Sequence, residues 1–295
     1  MGQPDSLMLT LKVITIALLV TSVSVILASA VYSNSFEPFT LSPSSTASAS
    51  SDTYNPPSNY TLSVTAGNCA INILSSSDNT IRADLNVTSS FFVKAFARID
   101  VSAVNSTYGI TLDTPQYWGI NAVANIYIPS GILSHSLSVN VQNGGITADI
   151  PRLVDETTLE TTNGQIAVRG SSVSDVTTQN TNGNTYISVS SFGTISSSAV
   201  NGNVQLTVSN ASASGSASLA TTNGNVNYLA NPASNLSISA NTVNGVVSIS
   251  GLTYDATLSN IRQLVATVNG GGTSVVLSTV NGNVKIGSSL PVMSE

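Results

Sequence analysis

The sequence predicts an all-β protein, and three observations favour this fold class. Only 7% of the 295 residues are charged, against roughly 25% in an ordinary globular domain. The remaining polarity comes from Ser, Thr and Asn, which suit exposed sheet faces and turns better than exposed helices. Apolar and polar residues also alternate with period two, and Asn-Gly pairs recur between the alternating segments.

The N-terminal region contains an uncharged apolar segment, residues 13–31, that follows Lys12. About 19 such residues are enough for a helix across a hydrocarbon core of roughly 30 Å. Ala28-Ser29-Ala30 is also an acceptable cleavage site, so the segment is either an uncleaved anchor or a signal cleaved near Ala30. We predict a single-pass cell-membrane protein with an extracellular body, since Lys12 favours the cytoplasmic side. Secretion after cleavage is the alternative.

Composition divides the chain into four regions. Residues 1–32 hold the anchor or signal segment, and residues 33–59 are rich in Ser, Thr and Pro. The second region has too few apolar residues to fold, which predicts an extended stalk. Residues 60–136 alternate and carry half of the aromatic residues, which predicts a β-rich cap, and residues 137–295 carry a β-strand repeat.

Eight Asn-Gly pairs mark the repeat, at a period of about 20 residues until the last two. Positions two and four after each glycine are mostly apolar with polar residues between them, which is typical of a strand with one buried face. An extra glycine after the seventh pair is interpreted as a one-residue insertion. The predicted structural turns are Asn143, Gly144, Asn163, Gly164, Asn182, Gly183, Asn201, Gly202, Asn223, Gly224, Asn244, Gly245, Asn269, Gly270, Asn281 and Gly282.

Two architectures satisfy this pattern. In a parallel β-solenoid of about seven coils, equivalent residues lie about 4.8 Å apart and the asparagines form a ladder. In an antiparallel β-sandwich, each Asn-Gly pair closes a hairpin. In either architecture we expect the glycine to accept positive φ without steric cost. Near-identical flanks favour the solenoid, because each position then packs on its own copy. Few residues follow Ile286, so we expect an uncovered C-terminal coil edge available for self-association.

The repeat units resemble a known family. "ANIYIPSGILSHSLSVNVQNGGITADI" is followed by units such as "TTNGQIAV", "TTNGNVNY" and "STVNGNVKI". These segments resemble the putative-adhesin β-strand-repeat family, whose function is largely unassigned. The resemblance covers roughly residues 60–287 and implies a surface-type β domain with no catalytic residues to carry over. Members often have Asp after the Asn-Gly pair, where this chain has Asn184, Asn203, Asn225 and Asn283.

The residue types exclude several function classes. Eight scattered basic residues cannot form a stripe that follows nucleic-acid phosphates. One histidine, His135, and one cysteine, Cys69, leave no metal or cofactor site to predict. The best acidic cluster is typical of a solvated loop, and we expect no enzyme activity. That cluster comprises Asp149, Arg152, Asp155, Glu156 and Glu160.

The predicted function is therefore that of a non-catalytic cell-surface β-solenoid, structural or adhesive, with a surface glycan or protein as ligand. Alternatives are a membrane-anchored regulatory or envelope-sensing ectodomain and a carbohydrate-active enzyme. A third is a flat-surface binder that uses the threonines two residues before the asparagines, a column interrupted by Asn180 and Ala199. Five sequons are candidate glycosylation sites: Asn59, Asn86, Asn105, Asn210 and Asn235.

Overall fold

The computed structural model describes residues 44–57, 59–90, 95–104, 106–116, 119–130, 134–149, 152–212 and 214–289, which belong to one compact unit. All regular secondary structure in these ranges is β-strand, which confirms the predicted all-β class. No helix within them is long and apolar enough to cross a bilayer. The predicted anchor, residues 13–31, lies outside the described residues.

Twenty-one strands, joined by hydrogen bonds into one mixed sheet, make up the described fold. They are β1 (Ser44–Ser50), β2 (Asn59–Asn68), β3 (Ala70–Ser76), β4 (Arg82–Ser90), β5 (Arg98–Val104), β6 (Thr107–Asp113), β7 (Ile120–Pro129), β8 (Ser134–Asn143), β9 (Ile146–Asp149), β10 (Arg152–Asn163), β11 (Ile166–Asn182), β12 (Thr185–Asn201), β13 (Val204–Val208), β14 (Ser216–Asn223), β15 (Val226–Ala230), β16 (Leu236–Asn244), β17 (Val247–Ser250), β18 (Tyr254–Ser259), β19 (Gln263–Val268), β20 (Thr273–Asn281) and β21 (Val284–Ser288).

The repeat units stack in parallel. Strands before the turns follow the order β6, β2, β8, β10, β11, β12, β14, β20 and β16, and each neighbouring pair is parallel. Strands after the turns follow a matching parallel order: β7, β3, β9, β11, β12, β13, β15, β21 and β17. β8 and β9, for example, pair with other units and not with each other. The repeat turns therefore do not close antiparallel hairpins.

Identical register across the units builds the core. Ile146 pairs with Ile166, which pairs with Thr185, which pairs with Val204. All four side chains are fully buried, as the period-two pattern predicts. Burial of each such aliphatic side chain contributes about 1.5–3 kcal/mol relative to exposure. The core is consequently continuous along the stack.

Two units lie out of chain order. The β2–β3 unit lies between the β6–β7 and β8–β9 units. The β20–β21 unit lies between the β14–β15 and β16–β17 units. The predicted C-terminal coil edge is therefore wrong, because β20 and β21 each have a strand on both sides. Since all units share one register, they can pair with more than one neighbour, and sequence order does not fix spatial order.

Part of the predicted stalk belongs to the folded body. β1 pairs antiparallel with β4 along its whole length. Tyr54 then forms a bridge with Ile81 and stacks on Tyr108, with ring centroids 4.4 Å apart. The stalk prediction is wrong for residues 44–57, because a Ser/Ala strand can pair through its backbone without bulky apolar residues. Residues 33–43 lie outside the described residues.

The repeat also begins earlier than the predicted boundary between residues 136 and 137. Asn68 pairs in register with Asn143, so the β2–β3 unit is part of the stack. Cys69 occupies the place that glycine holds in the other units. It is buried, and its burial raises the pKa of the thiol to about 12. Its neighbour across the stack is Ala124 of β7.

Candidate interaction surface

Seven of the eight predicted Asn-Gly turns lie in one hydrogen-bonded column, the asparagine ladder, which Asn68 extends. The side-chain Nδ2 of each asparagine donates to Oδ1 of the next, over 2.6–2.9 Å. From donor to acceptor the order is Asn244, Asn281, Asn223, Asn201, Asn182, Asn163, Asn143 and Asn68. The ladder thus ties together units that are up to 75 residues apart in sequence.

The glycines of these turns are required for close approach between units. A Cβ on any of them would come within 1.8–2.0 Å of a backbone oxygen of the neighbouring turn. Only Gly144 and Gly183 have positive φ, at 152° and 150°. The expectation of positive φ is therefore wrong for the other five described turns of the ladder. The seven glycines are Gly144, Gly164, Gly183, Gly202, Gly224, Gly245 and Gly282.

The eighth predicted turn, Asn269-Gly270, lies outside the ladder. Asn269, Gly270 and Gly271 have φ values of 50°, 83° and 86°, so this is a left-handed turn between β19 and β20. Asn269 donates from Nδ2 to the backbone oxygens of Pro232 and Ser234, each at 3.0 Å. Its assignment as a repeat turn with a one-residue insertion is wrong, because β19 runs antiparallel to β16.

A second asparagine column follows the first. The side-chain Oδ1 accepts from the backbone N–H of the next unit at 2.8–2.9 Å. The four acceptors are Asn184, Asn203, Asn225 and Asn283, the positions where the resembling family often has Asp. Neutral amides satisfy these donors without stacking like charges about 4.8 Å apart.

The threonine column two residues before the ladder faces the interior. Its members are 3–5% exposed, and each Oγ1 donates to a glycine oxygen of the neighbouring turn at 2.8–2.9 Å. Those members are Thr161, Thr221, Thr279 and Thr242. Asn180 replaces threonine with a 2.8 Å bond from Nδ2, whereas Ala199 has no donor. The flat-surface binding alternative is wrong for this column, because its hydroxyls are buried.

The outer side of β14, β20, β16 and the second half of β12, residues 194–201, forms a continuous face without charged residues, which we call the uncharged outer face. Its side chains are exposed or half-exposed and none is larger than Val or Asn. They are Thr194, Ser196, Ser198, Val200, Ser216, Ser218, Ala220, Thr222, Ser274, Val276, Ser278, Val280, Ser237, Ser239, Asn241 and Val243. Parallel pairing in register sets these residues in rows about 4.8 Å apart.

The described members of the acidic cluster do not converge on one site. Asp149 and Glu156 are exposed, and Glu156 pairs in register with Asp175, not with a basic residue. Glu160 accepts a 3.0 Å hydrogen bond from Asn140. The side chains of Arg152, Asp155 and His135 lie outside the description. Among the described residues, no group of three His, Cys, Asp or Glu could hold a metal ion.

Four candidate glycosylation sites fall on described residues. Asn59, Asn86, Asn210 and Asn235 are all exposed, so each is accessible to a transferase, and Asn105 lies outside the described residues. Asn210 accepts from the backbone N–H of Ser212 in a turn.

No family model and no curated protein matches the chain. Among solved structures, a putative cell adhesion protein from Clostridium sporogenes is 9% identical, with 82% of this chain and 99% of that chain covered, at a TM-score of 0.39. A putative adhesin from Bacteroides fragilis is 10% identical, covers 81% and 96%, and also has a TM-score of 0.39. A putative adhesin from Parabacteroides merdae is 10% identical, covers 83% and 96%, and has a TM-score of 0.28.

These three descriptions name the class that the repeat units resemble. Because the TM-scores are below 0.5, we base no functional conclusion on the likeness.

Proposed function

We propose that the chain is a non-catalytic, adhesin-like cell-surface protein that binds a neutral glycan or protein surface through the uncharged outer face. The observation that supports this is the absence of charge from four adjacent strands, in a face of hydroxyl, methyl and amide groups. Such groups hydrogen-bond to a neutral ligand without the desolvation penalty of a buried charge.

The electrostatics of this face lead to a measurable expectation. Binding through charged groups weakens as salt screens them, with a Debye length of about 10 Å at 0.1 M. Binding through uncharged rows of Ser, Thr and Val is expected to change little between low and high salt. A steep loss of affinity with salt would favour the charged strands β10 and β11 as the binding surface instead.

The architecture we propose is a β-solenoid, in which each unit is a strand, a turn, a strand and a return segment. The parallel, in-register pairing of the strands before and after the turns supports it, and so does the asparagine ladder. We further propose that residues 13–31 hold the protein in the membrane, with its body outside. Membrane extraction at high pH, with and without residues 13–31, tests the anchor. N-terminal sequencing of the mature protein separates an anchor from cleavage near Ala30.

Glycosylation of the exposed sequons is part of the same proposal. Enzymatic removal of N-glycans from the protein purified from its own cells is expected to lower its mass. An unchanged mass would remove glycosylation from the proposal and leave the binding face intact.

The direct test of the binding face compares a serine on the strands before the turns with a serine on the strands after the turns. Ser218→Lys puts a charge in the middle of the uncharged outer face. Ser188→Lys puts the same charge on an exposed position outside that face, in the first half of β12. On a glycan array and in a cell-adhesion assay, we expect Ser218→Lys to lose at least about tenfold in affinity, the equivalent of about 1.4 kcal/mol. Ser188→Lys should bind like the unaltered protein. Equal binding by both variants would contradict the proposal, and glycan cleavage would favour the enzyme alternative.

A further inference from the structure

The end of the stack that contains β16–β19 leaves two strand edges open. Within the described residues, β17 pairs only with β21 and β18 pairs only with β19. An unpaired edge exposes a row of backbone N–H and C=O groups that can pair with another strand. We call β17, β18, β19 and their connecting loops the open end.

The open end carries large apolar side chains in solvent. Relative exposures are 67% for Ile261, 44% for Leu258, 43% for Val246, and 39% for Tyr254. The loop that contains Ile261 is held against β17, because its backbone oxygen accepts from the N–H of Val247 at 2.9 Å. Ile261 therefore lies beside Val246 and the start of β17, whereas Tyr254 is at the other end of β18, in register with Val268.

The interior of the stack is also incompletely covered here. Val247 and Ile249 of β17 are half-buried, whereas Val284 and Ile286 in the same register on β21 are at most 1% exposed. All six residues of β18 are exposed, so this strand covers no core of its own. Contiguous exposed apolar surface of this kind is typical of an interaction site.

The charges at this end are few and of opposite sign. Between Val246 and Val265 the only charged residues are Asp255 and Arg262, and β17 has none. Natural edge strands are commonly protected by charges, Pro or a bulge. β18 has a bulge between Ala256 and Leu258. On β17 the loop that contains Ile261 occupies the N–H of Val247, and no charge, Pro or bulge protects the rest of the strand. A surface with one charge of each sign can face its own copy without net repulsion.

We propose that the open end is the interface for a second copy of this chain, with the two open ends facing each other across a two-fold axis. A two-fold axis perpendicular to a strand makes the strand and its copy antiparallel, so β17 or β18 can pair with itself. The same contact covers apolar residues with apolar residues. A stable interface of this kind buries about 800 Å² per partner.

Part of the opposite end does not fit the open end in a head-to-tail contact. Within the described residues that end has two edge strands: β5 carries Arg98 and Asp100, whose side chains bond to each other at 2.8 Å, whereas β1, which pairs only with β4, carries no charge. An apolar edge set against the charges of β5 would desolvate them without a new partner. The charges of β5 therefore favour the self-complementary arrangement over a filament that uses this strand.

Single-cysteine cross-linking of the full-length protein in detergent tests the interface. Ser248→Cys reports on β17 and Thr257→Cys on β18, both exposed, while Ser102→Cys on β5 is the matched control at the other end. The native Cys69 is buried and serves as background. On mild oxidation we expect a disulfide-linked dimer from Ser248→Cys, Thr257→Cys or both, and none from Ser102→Cys.

Three outcomes would overturn the proposal. They are mixed dimers between Ser102→Cys and Ser248→Cys chains, no dimer from either open-end cysteine, and dimers that appear only after deletion of residues 290–295. The last result would mean that the chain's own C-terminus covers the open end. As a second measurement, Ile261→Asp should weaken the dimer at least about tenfold by sedimentation, the equivalent of about 1.4 kcal/mol. An unchanged dimer in that variant would also contradict the proposal.

Discussion

The two ends of the stack are alike in strand pairing but differ in how they cover the core. At each end, one unit is inserted between two units that do not both adjoin it in sequence. β2–β3 lies between β6–β7 and β8–β9 at one end, and β20–β21 lies between β14–β15 and β16–β17 at the other. Both inserted units carry a ladder asparagine, Asn68 and Asn281. Both ends therefore contain an inserted unit that is joined to its neighbours by parallel strands and by the asparagine ladder.

Closure of the core separates them. At the end that contains β2–β3, which we call the sealed end, β4 and β1 continue the sheet and bury Ile81 and Leu85 fully. Tyr54 also stacks on Tyr108 there. At the open end, the β18–β19 pair extends only the strands that precede the turns, through β16, and β18 remains exposed on both faces. The comparison shows that pairing the last unit does not seal it, since sealing takes further strands with large apolar residues.

The largest expected difference between the ends concerns two tyrosines. Tyr108→Ala removes a fully buried ring from the sealed end, which we expect to lower the free energy of unfolding by about 3–5 kcal/mol. Tyr254→Ala removes a 39% exposed ring from the open end, with an expected cost below about 1 kcal/mol. Urea unfolding of both variants measures the difference. Equal losses would mean that the two ends are closed alike.

Alkaline pH should destabilise the protein through residues near both ends. Burial raises the pKa of Tyr60 and of Tyr228 well above the usual value, and raises that of Cys69 to about 12. The unfolded state then releases protons that the folded state keeps, near pH 9 from Cys69 and near pH 10 from the tyrosines, so stability is full below about pH 9 and falls above it. The slope is up to about 1.4 kcal/mol per pH unit for each group.

Tyrosine-to-phenylalanine variants divide this alkaline effect between the ends. Tyr60→Phe and Tyr228→Phe should each flatten the fall in unfolding free energy between pH 9 and 11 by about one group's share. Tyr60 is in the inserted unit of the sealed end, and Tyr228 is on β15, beside the other inserted unit. If only Tyr60→Phe changed the slope, the opening at the second end would extend as far as β15.

The buried threonine bonds should contribute equally in the middle of the stack, where β10 carries Thr161, and at the open end, where β16 carries Thr242. Thr161→Val and Thr242→Val each remove a donor to a glycine oxygen, at 2.9 and 2.8 Å, and each should cost about 1 kcal/mol. Thr222→Val, on an exposed position, is the control and should stay within about 0.5 kcal/mol. A negligible cost for Thr242→Val alone would show that the column does not form at the open end.

The smallest expected effect is a difference in the rate of asparagine deamidation between the Asn-Gly pairs. Deamidation requires the backbone nitrogen after Asn to attack the side-chain carbonyl carbon. In most ladder turns that nitrogen is held, as in Gly164 N–H to Asn182 O at 3.0 Å. Of the described turns, those of Gly245 and Gly270 lack such a bond. Peptide mapping after mild alkaline incubation should therefore find Asn244 and Asn269 converted several times faster than Asn201, and uniform conversion would contradict this.

The sequence predicts the repeat unit well because each position is restrained by its copies. Asn-Gly identity, the inward apolar residues and the threonines all have a single structural role, repeated from unit to unit. The start of the stack was missed because Cys69 replaces glycine. Its thiol contacts the backbone of Ala124 of β7.

The order of the units could not be read from the sequence. Every unit offers the same ladder amide and the same backbone register to its neighbours. Which units become neighbours therefore depends on the connecting segments and on the β18–β19 pair. No repeat signal in the sequence predicts the antiparallel pairing of β18 and β19. The uncharged outer face depends on that order, since β20 completes it between β14 and β16. Its composition was visible in the sequence, but its continuity was not.

A pair of engineered disulfides tests the central claim, that β20 lies between β14 and β16. Thr222 and Val280 are neighbours on adjacent strands about 4.8 Å apart, within the Cα range of roughly 4.4–6.8 Å that a disulfide needs. Thr222 and Val243 are two strands apart, about 10 Å. Thr222→Cys with Val280→Cys should form an intramolecular disulfide, and Thr222→Cys with Val243→Cys should not. The reverse result would contradict the strand order and the open end that follows from it.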